Sequence, residues 1–144
     1  MHSVRRSALV PYHAADMFRL VDDVESYPEF LPWCSDARVE RRDGDVLVAS
    51  LELHRGAIRK RFTTRNTRRE PERIDIELLG GPFRVLEGGW RFGELGDAGC
   101  KVSLELDFEF DSKMLDLALG RYFEQMCGSL IDAFTRRRRA VHGA

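Results

Sequence analysis

The stretch that decides the fold is residues 111–139, which read DSKMLDLALGRYFEQMCGSLIDAFTRRRR. It contains no proline, and its apolar residues recur at steps of three and four, which places them on one broad stripe of an α-helix. The stripe consists of Leu115, Ala118, Leu119, Tyr122, Phe123, Met126, Leu130, Ile131 and Phe134. Asp111 or Ser112 is placed to cap the first turn, and the arginines that end the run lie where the helix dipole favours positive charge. The run predicts one helix of about 25 residues, roughly 37 Å long, whose apolar stripe must be covered by a sheet.

Upstream of this helix the apolar period changes to two, which is typical of half-buried β-strands. The alternation predicts strands at residues 3–10, 36–42, 46–54, 58–67, 73–79, 83–95 and 100–110. Turn residues separate them, and the Asp43-Gly44 pair is a strong signal for a hairpin. Gly88 and Gly89 lie inside the longest strand, where they predict a bulge or bend.

Two short helices are predicted after the first strand, at residues 14–21 and 24–31, and Pro28 limits the second. The order is therefore one strand, two short helices, six consecutive strands and one long helix. Hairpin connections make the sheet antiparallel, with one face buried. This order is similar to that of the helix-grip fold of START-like and polyketide-cyclase-like proteins. That α+β fold wraps a curved antiparallel sheet of about seven strands around a long C-terminal helix, and it often leaves a ligand chamber between them, but a fold alone does not define a function.

Length and composition favour a single domain, residues 1–144, with its own hydrophobic core. The formal net charge is −1 and the pI is about 6.4, so the whole molecule has no general attraction for nucleic acid or anionic membranes. No apolar run approaches the roughly 20 residues of a membrane span, and residues 1–6 lack the apolar segment of a secretory signal. Cys34, Cys100 and Cys127 are widely spaced and form no CxxC pair, which favours reduced thiols in the cytoplasm.

Residues 21–34, VDDVESYPEFLPWC, carry a specific resemblance to a known family. Their pattern VxDVxxYPxFLPWC is similar to that of the bacterial ribosome-association toxin RatA family and its mitochondrial relatives, the coenzyme Q-binding proteins. Residues 81–92 resemble the pattern GPFxxLxxxWxF of the same family. The resemblance implies a non-enzymatic domain that either holds an isoprenoid quinone in the chamber or acts on ribosomal subunits. The motif does not separate these two branches.

Apolar side chains, most of them aromatic, are the candidate lining of such a chamber. The candidates are Tyr27, Phe30, Leu31, Trp33, Phe62, Leu78, Phe83, Leu86, Trp90, Phe92, Phe110, Leu119, Phe123 and Met126. Those in the proline-stiffened segment 27–34 form either a lid at the chamber mouth or one closed end of the core. For any single strand residue, a filled core is the alternative explanation. A polyprenyl tail suits this surface because each buried CH₂ contributes roughly 0.8 kcal/mol, and the Trp90 indole N–H is a candidate donor to a quinone carbonyl.

Basic residues form a candidate rim or partner-binding surface. They are Arg59, Lys60, Arg61, Arg136, Arg137, Arg138 and Arg139. One interpretation is contact with the large ribosomal subunit or with anionic lipid headgroups at the inner membrane. The alternative is a solvated face combined with complementarity to the helix dipole. Lys60 shares a strand face with Phe62, so its amino group is expected either to reach the rim or to pair with Glu87 or a ligand carbonyl.

Catalytic and metal-binding patterns are missing from the sequence. The four histidines have no ligand spacing, the adjacent Asp22 and Asp23 favour capping or surface roles, and Cys34 is expected to be a buried, inert thiol. The main hypothesis is a non-enzymatic cytoplasmic protein without a required cofactor, which binds an isoprenoid quinone or similar lipid and supports respiration or quinone delivery. The alternative is a ribosome-association inhibitor that binds the large subunit and blocks subunit joining. An aromatic polyketide cyclase or dehydrase is a weaker alternative.

Overall fold

A computed structural model describes residues 1–142 and shows a seven-stranded antiparallel sheet that packs against a C-terminal helical segment. The strands are β1 (His2–Val10), β2 (Cys34–Asp43), β3 (Val46–Arg55), β4 (Ile58–Arg69), β5 (Arg73–Gly80), β6 (Phe83–Glu94) and β7 (Cys100–Phe110). Their spatial order is β1-β7-β6-β5-β4-β3-β2, so β2 to β7 form sequential hairpins and β1 pairs with β7. All seven predicted strands are confirmed, with ends that differ by no more than two residues. The last two residues of the predicted domain, 143 and 144, lie outside the described residues.

The two short helices after β1 are also confirmed. They are α1 (Ala14–Asp22) and a 3-10 helix (Val24–Glu29) that contains Pro28. Arg68 on β4 donates to the Asp22 carboxylate at 2.7 Å, which ties the end of α1 to the sheet. The Asp23 carboxylate accepts from the Ser26 hydroxyl at 2.6 Å at the start of the 3-10 helix. The two adjacent aspartates therefore have separate structural contacts and do not form an acid–base pair.

The C-terminal helical segment is less regular than the single predicted helix. It consists of α2 (Lys113–Leu115), a π-helical turn (Asp116–Gly120), α3 (Arg121–Gly128) and α4 (Leu130–His142). The Ser112 hydroxyl accepts from the Leu115 N–H at 3.0 Å, so Ser112 is the N-cap. Ser129 separates α3 from α4, and a Gly128-Ser129 pair is a usual cause of such a break.

The predicted apolar stripe of this segment faces the sheet. Its fully buried members are Leu119, Phe123, Leu130, Ile131 and Phe134, and its half-buried members are Leu115, Ala118, Tyr122 and Met126. Phe123 lies at the centre of an aromatic cluster, with the rings of Trp33, Phe62, Phe83, Phe108 and Phe110 between 4.9 and 6.3 Å away. No helix in residues 1–142 combines the length and the apolar character needed to cross a bilayer.

Of the two irregularities predicted at Gly88 and Gly89, a bulge or a bend, the bulge is wrong. The pairing of β6 with β7 is continuous there, and its irregularity falls instead near the start of β6. A Cβ atom on Gly88 would lie 2.0 Å from the carbonyl oxygen of Glu105, and one on Gly89 would lie 2.4 Å from that of Ile74. The two glycines therefore allow β7 and β5 to approach β6 closely.

Candidate functional site

A cavity of about 80 Å³ lies between the sheet and the C-terminal helical segment. Strands β3 to β7 supply one wall, and α3, α4 and the segment around the 3-10 helix supply the other. Sites for drug-sized ligands usually measure about 300–1,000 Å³. A quinone ring with a tail therefore fits only if these walls move apart.

Six of the predicted chamber residues line this cavity: Tyr27, Trp33, Phe62, Leu86, Trp90 and Phe123. The others lie elsewhere in the core or at its edge: Phe30, Leu31, Leu78, Phe83, Phe92, Phe110, Leu119 and Met126. Phe83 and Phe110, for example, stack with ring centroids 4.5 Å apart. Strand alternation identifies inward residues, but the packing of several elements decides which of them border a void. Contact between any of these residues and a ligand stays a prediction.

Two polar residues of the cavity wall were not predicted from the sequence. Thr64 and Asn66 lie on β4, and the Thr64 hydroxyl donates to the Asn66 side-chain oxygen at 2.9 Å. Both alternate with Phe62 on the same strand face, so their inward register was available from the sequence. The helix residues Cys127, Leu130 and Phe134 also line the cavity and were not predicted to, because the apolar stripe does not show which turn faces the void.

Trp33 lines the cavity, and its indole N–H is buried. Its side chain is 4% exposed, and its Nε1 has no hydrogen-bond partner among the described residues. A buried N–H without a partner costs about 1–3 kcal/mol, so an acceptor atom of a ligand would relieve that cost. Phe123 holds the indole from one side, edge to face at 5.5 Å. Trp90, the donor predicted from the sequence, lines the same cavity, and contact of either indole with a ligand stays a prediction.

The proline-stiffened segment contributes Tyr27 to the cavity wall. The Tyr27 hydroxyl donates to the carbonyl of Val21, and its ring packs edge-on against Phe134 at 5.4 Å. Burial, together with the nearby Asp22, raises the pKa of Tyr27. Tyr27 is therefore a protonated wall residue in the neutral pH range.

The three cysteine thiols are buried. Burial raises the pKa of the Cys34 and Cys100 thiols to about 11 each, and it also raises the pKa of the Cys127 thiol. At pH 8 a thiol with this pKa is ionised in roughly one molecule per thousand, and only the thiolate reacts. We expect iodoacetamide at pH 8 to label none of the three within an hour in the folded protein and all three in urea, as measured by mass spectrometry. Rapid labelling of folded protein would contradict the inert role assigned to Cys34.

The predicted basic strand residues do not form a free cationic surface. Arg59 pairs with Glu52 at 3.3 Å, and Arg61 pairs with Asp36, both on the outer face of the sheet. Lys60 is half-buried on the inner face of β4. Its proposed pairing with Glu87 is wrong, because Glu87 alternates with the inward Leu86 and is exposed on the opposite face.

Two of the four C-terminal arginines hold α4 in place. Arg137 pairs with Glu29 at 2.7 Å, and Arg138 pairs with Asp16 at 3.6 Å. Each guanidinium also lies over an aromatic ring, at 4.9 and 4.7 Å from the ring centroid. Both side chains are mostly buried, with 22% and 18% exposed. The rim or partner-binding role predicted for these two is replaced by a structural one.

The other two arginines belong to a solvent-facing set that we call the outer helix face. It consists of Lys113, Arg121, Arg136 and Arg139, all exposed and, within residues 1–142, without an ion pair shorter than 4.0 Å. Asp132 is the one exposed acidic residue between Arg121 and Arg136. This face lies on the helical side of the sheet, so it does not converge with Arg59 and Arg61.

A curved antiparallel sheet closed by a long C-terminal helical segment, with an apolar cavity between them, defines a START-like helix-grip domain. The model of the family described as polyketide cyclase / dehydrase and lipid transport matches residues 10–135, and the chain belongs to that family.

Several relatives are similar over the whole chain. The ribosome association toxin RatA of Vibrio cholerae is 46% identical over 143 residues, which is 99% of each chain. RatA of Escherichia coli is 40% identical and covers all of this chain and 91% of its own. The mitochondrial coenzyme Q-binding protein COQ10 of Drosophila melanogaster is 27% identical over 96% of this chain and 59% of its own. The solution structure of the 18 kDa protein CC1736 from Caulobacter crescentus is 38% identical, with a TM-score of 0.73 and full coverage of both chains.

Proposed function

We propose that this protein associates with ribosomes, with the large subunit as its target. The observation that carries this proposal is the full-length identity of 46% to a protein named ribosome association toxin. The coenzyme Q-binding relative shares only 27% identity, and the cavity is small for a quinone. Both points support a proposal of ribosome association over one of quinone binding, which reverses the order of the sequence-based hypotheses.

The outer helix face is the surface proposed to meet the ribosome. Its four cations have no intramolecular ion pair among the described residues, whereas Arg59, Arg61 and Arg65 on the outer face of the sheet are each matched by a carboxylate. Lysine and arginine side chains bind nucleic acid by displacing counterions from phosphates. Binding of the large subunit through this face is proposed to reduce its joining with the small subunit.

Sedimentation with separated bacterial ribosomal subunits tests this proposal. We expect the protein to co-sediment with the large subunit in about 0.1 M salt, and to lower the yield of joined ribosomes when added before the small subunit. Binding should weaken steeply as salt increases, because phosphate contacts dominate it. The absence of co-sedimentation with either subunit, even in low salt, would refute the proposal.

A second candidate function is the binding of a lipid such as an isoprenoid quinone. It is favoured by the apolar cavity and by the buried Trp33 N–H that has no partner in the described residues. If this N–H donates to a ligand carbonyl, Trp33→Phe should lower the affinity for a short-tailed quinone by about 2- to 10-fold, the usual effect of one hydrogen bond. Trp90→Phe is the matched control, because it also replaces an indole of the same cavity wall, and it should lower the affinity less than Trp33→Phe does.

Calorimetric titration gives these affinities, and mass spectrometry of an organic extract identifies any lipid that is bound during purification. Equal affinities of the Trp33→Phe and unmodified proteins would contradict the role of Trp33. An empty extract together with no heat of quinone binding would contradict this candidate function altogether.

No catalytic step is proposed for the cavity. Its ionisable lining residues are Tyr27 and Cys127, and burial raises the pKa of both away from neutral pH. General acid–base catalysis works best with a pKa near the working pH, so these groups do not favour the cyclase alternative. The non-enzymatic character, the cytoplasmic location and the peripheral membrane contact stay predictions.

A further inference from the structure

His2 joins the sheet to the C-terminal helical segment. Its Nδ1 lies 2.8 Å from Oε1 of Glu124 on α3, and its Nε2 lies 3.0 Å from Oδ2 of Asp116 in the π-helical turn. The imidazole stacks on Phe108 with ring centroids 4.8 Å apart and an interplanar angle of 13°. One side chain at the start of β1 therefore contacts two separate turns of the helical segment.

The helical segment leaves space for the His2 ring at Gly120. A Cβ atom on Gly120 would lie 2.5 Å from Nε2 of His2, so glycine allows the imidazole to rest against the helix. Asp116 also accepts from the N–H of Phe110 at 3.3 Å, which orients its carboxylate. The contact is thus built from four elements: β1, the end of β7, the π-helical turn and α3.

The geometry favours the protonated form of His2. A neutral imidazole has one N–H donor and one acceptor nitrogen, whereas an imidazolium has two donors. Both ring nitrogens of His2 face carboxylate oxygens within hydrogen-bond distance. Only the imidazolium can donate to both, since a neutral ring would direct a lone pair at one carboxylate.

We propose that His2 is a protonation-dependent clamp that holds the first turns of the C-terminal helical segment and sets the charge of the outer helix face. This inference rests on the proposed ribosome association through that face. Imidazolium offsets one of the two negative charges of Asp116 and Glu124, which lie on either side of Arg121 along the helical segment. When His2 loses its proton, one hydrogen bond is lost and uncompensated negative charge remains beside a cation that would bind phosphate. The outer helix face is therefore better suited to a polyanion at acidic pH.

The pH range of the clamp follows from the groups around it. Burial by itself would lower the pKa of His2, but its hydrogen bonds to Asp116 and Glu124 outweigh burial and raise the pKa above 6.5. The clamp is therefore complete below pH 6.5 and is lost as pH rises through the raised pKa. Burial alone would raise the pKa of Asp116, yet the hydrogen bond from His2 keeps it below its ordinary value, so the contact between His2 and Asp116 persists into mild acid. The Met1 amino group also favours the Asp116 carboxylate, and it pairs with Glu109 at 3.3 Å.

Nuclear magnetic resonance tests the clamp without ribosomes. We expect the His2 ring to titrate above pH 6.5, and the amides of Asp116–Gly120 to exchange faster above that transition after correction for intrinsic base catalysis. His2→Gln keeps one possible hydrogen bond but carries no charge. In this variant the corrected exchange rates of the Asp116–Gly120 amides should therefore show no step with pH. His54→Gln is the matched control, because the His54 ring bonds only the Gly56 carbonyl in an exposed turn, and it should retain the step. Titration of His2 at or below pH 6.5 in the unmodified protein would overturn the proposal, and so would a pH step retained by His2→Gln.

Ribosome binding tests the consequence of the clamp. The unmodified protein and His54→Gln, tagged at the C-terminus, should bind the large subunit about five-fold more tightly at pH 6 than at pH 8, which corresponds to one phosphate contact. His2→Gln should bind with the same affinity at pH 6 and pH 8. Any difference that this variant still shows measures the effect of pH on the ribosome itself. Equal ratios for all three proteins would overturn the link between His2 and docking. Failure of the unmodified protein to bind at either pH would refute ribosome association instead, while the resonance experiment would still decide whether the clamp exists.

Discussion

Replacement of Phe123 by alanine is expected to lower the free energy of unfolding by about 3–5 kcal/mol. Phe123 is 2% exposed and packs against five aromatic rings from β4, β6, β7 and the segment before β2. Its removal leaves those rings facing an empty space that they cannot fill without moving the sheet or the helix. The cost is therefore the lost burial of one aromatic ring plus the cost of a new void.

Urea unfolding followed by circular dichroism gives this free energy. Leu117→Ala is a suitable control, since Leu117 lies on the same helical segment but is 87% exposed, and we expect a change of less than about 0.5 kcal/mol. A decrease of less than 1 kcal/mol in the free energy of unfolding of Phe123→Ala would show that packing of the Phe123 ring does not hold the helix on the sheet. The same substitution enlarges the 80 Å³ cavity, so a short-tailed quinone should bind the variant more tightly than the unmodified protein if it occupies this space.

The combined replacement of Arg121, Arg136 and Arg139 by glutamine is expected to weaken binding to the large ribosomal subunit on the order of 100-fold. At about 0.15 M salt each lost phosphate contact lowers the affinity about four- to five-fold, and three contacts multiply. The slope of log K against log salt concentration should also fall by about two to three. Stability should change little, because all three side chains are exposed.

The control removes three positive charges from the opposite surface. Arg38, Arg59 and Arg65 are exposed on the outer face of the sheet and pair with Asp36, Glu52 and Glu77, so their replacement by glutamine gives the same net charge. Sedimentation over a salt series compares the two triple variants. Equal losses would mean that only net charge matters, and no loss in either would exclude the outer helix face as the docking surface.

The four consecutive arginines show why exposure has to be known residue by residue. At 3.6 residues per turn, neighbouring residues point in different directions, so a run of like charges is divided between faces. Arg137 and Arg138 turn toward Glu29 and Asp16, whereas Arg136 and Arg139 face solvent. A substitution of all four would combine a loss of docking with a loss of helix packing, and its result would be ambiguous.

Local periodicity was sufficient for the secondary structure and the fold class. Strand alternation depends only on residues that are close in sequence, so all seven strands and their inward faces could be predicted from the sequence. The apolar stripe of the C-terminal segment was predicted for the same reason, since it repeats every three or four residues. The break at Ser129 and the π-helical turn were not predicted, because the apolar stripe continues through both.

The sequence by itself therefore determined the order of elements, the strand register toward the core and the family resemblance. Only the tertiary structure decided which inward residues border the cavity, which arginines are paired, and that Trp33 has a buried N–H without a partner among the described residues. It also decided that His2, which has no ligand spacing in the sequence, meets Asp116 and Glu124 across 114 and 122 positions of chain. The physical reason is that spacing along a chain reports contacts within one element, whereas ion pairs, voids and clamps depend on distances between elements that only the folded packing sets.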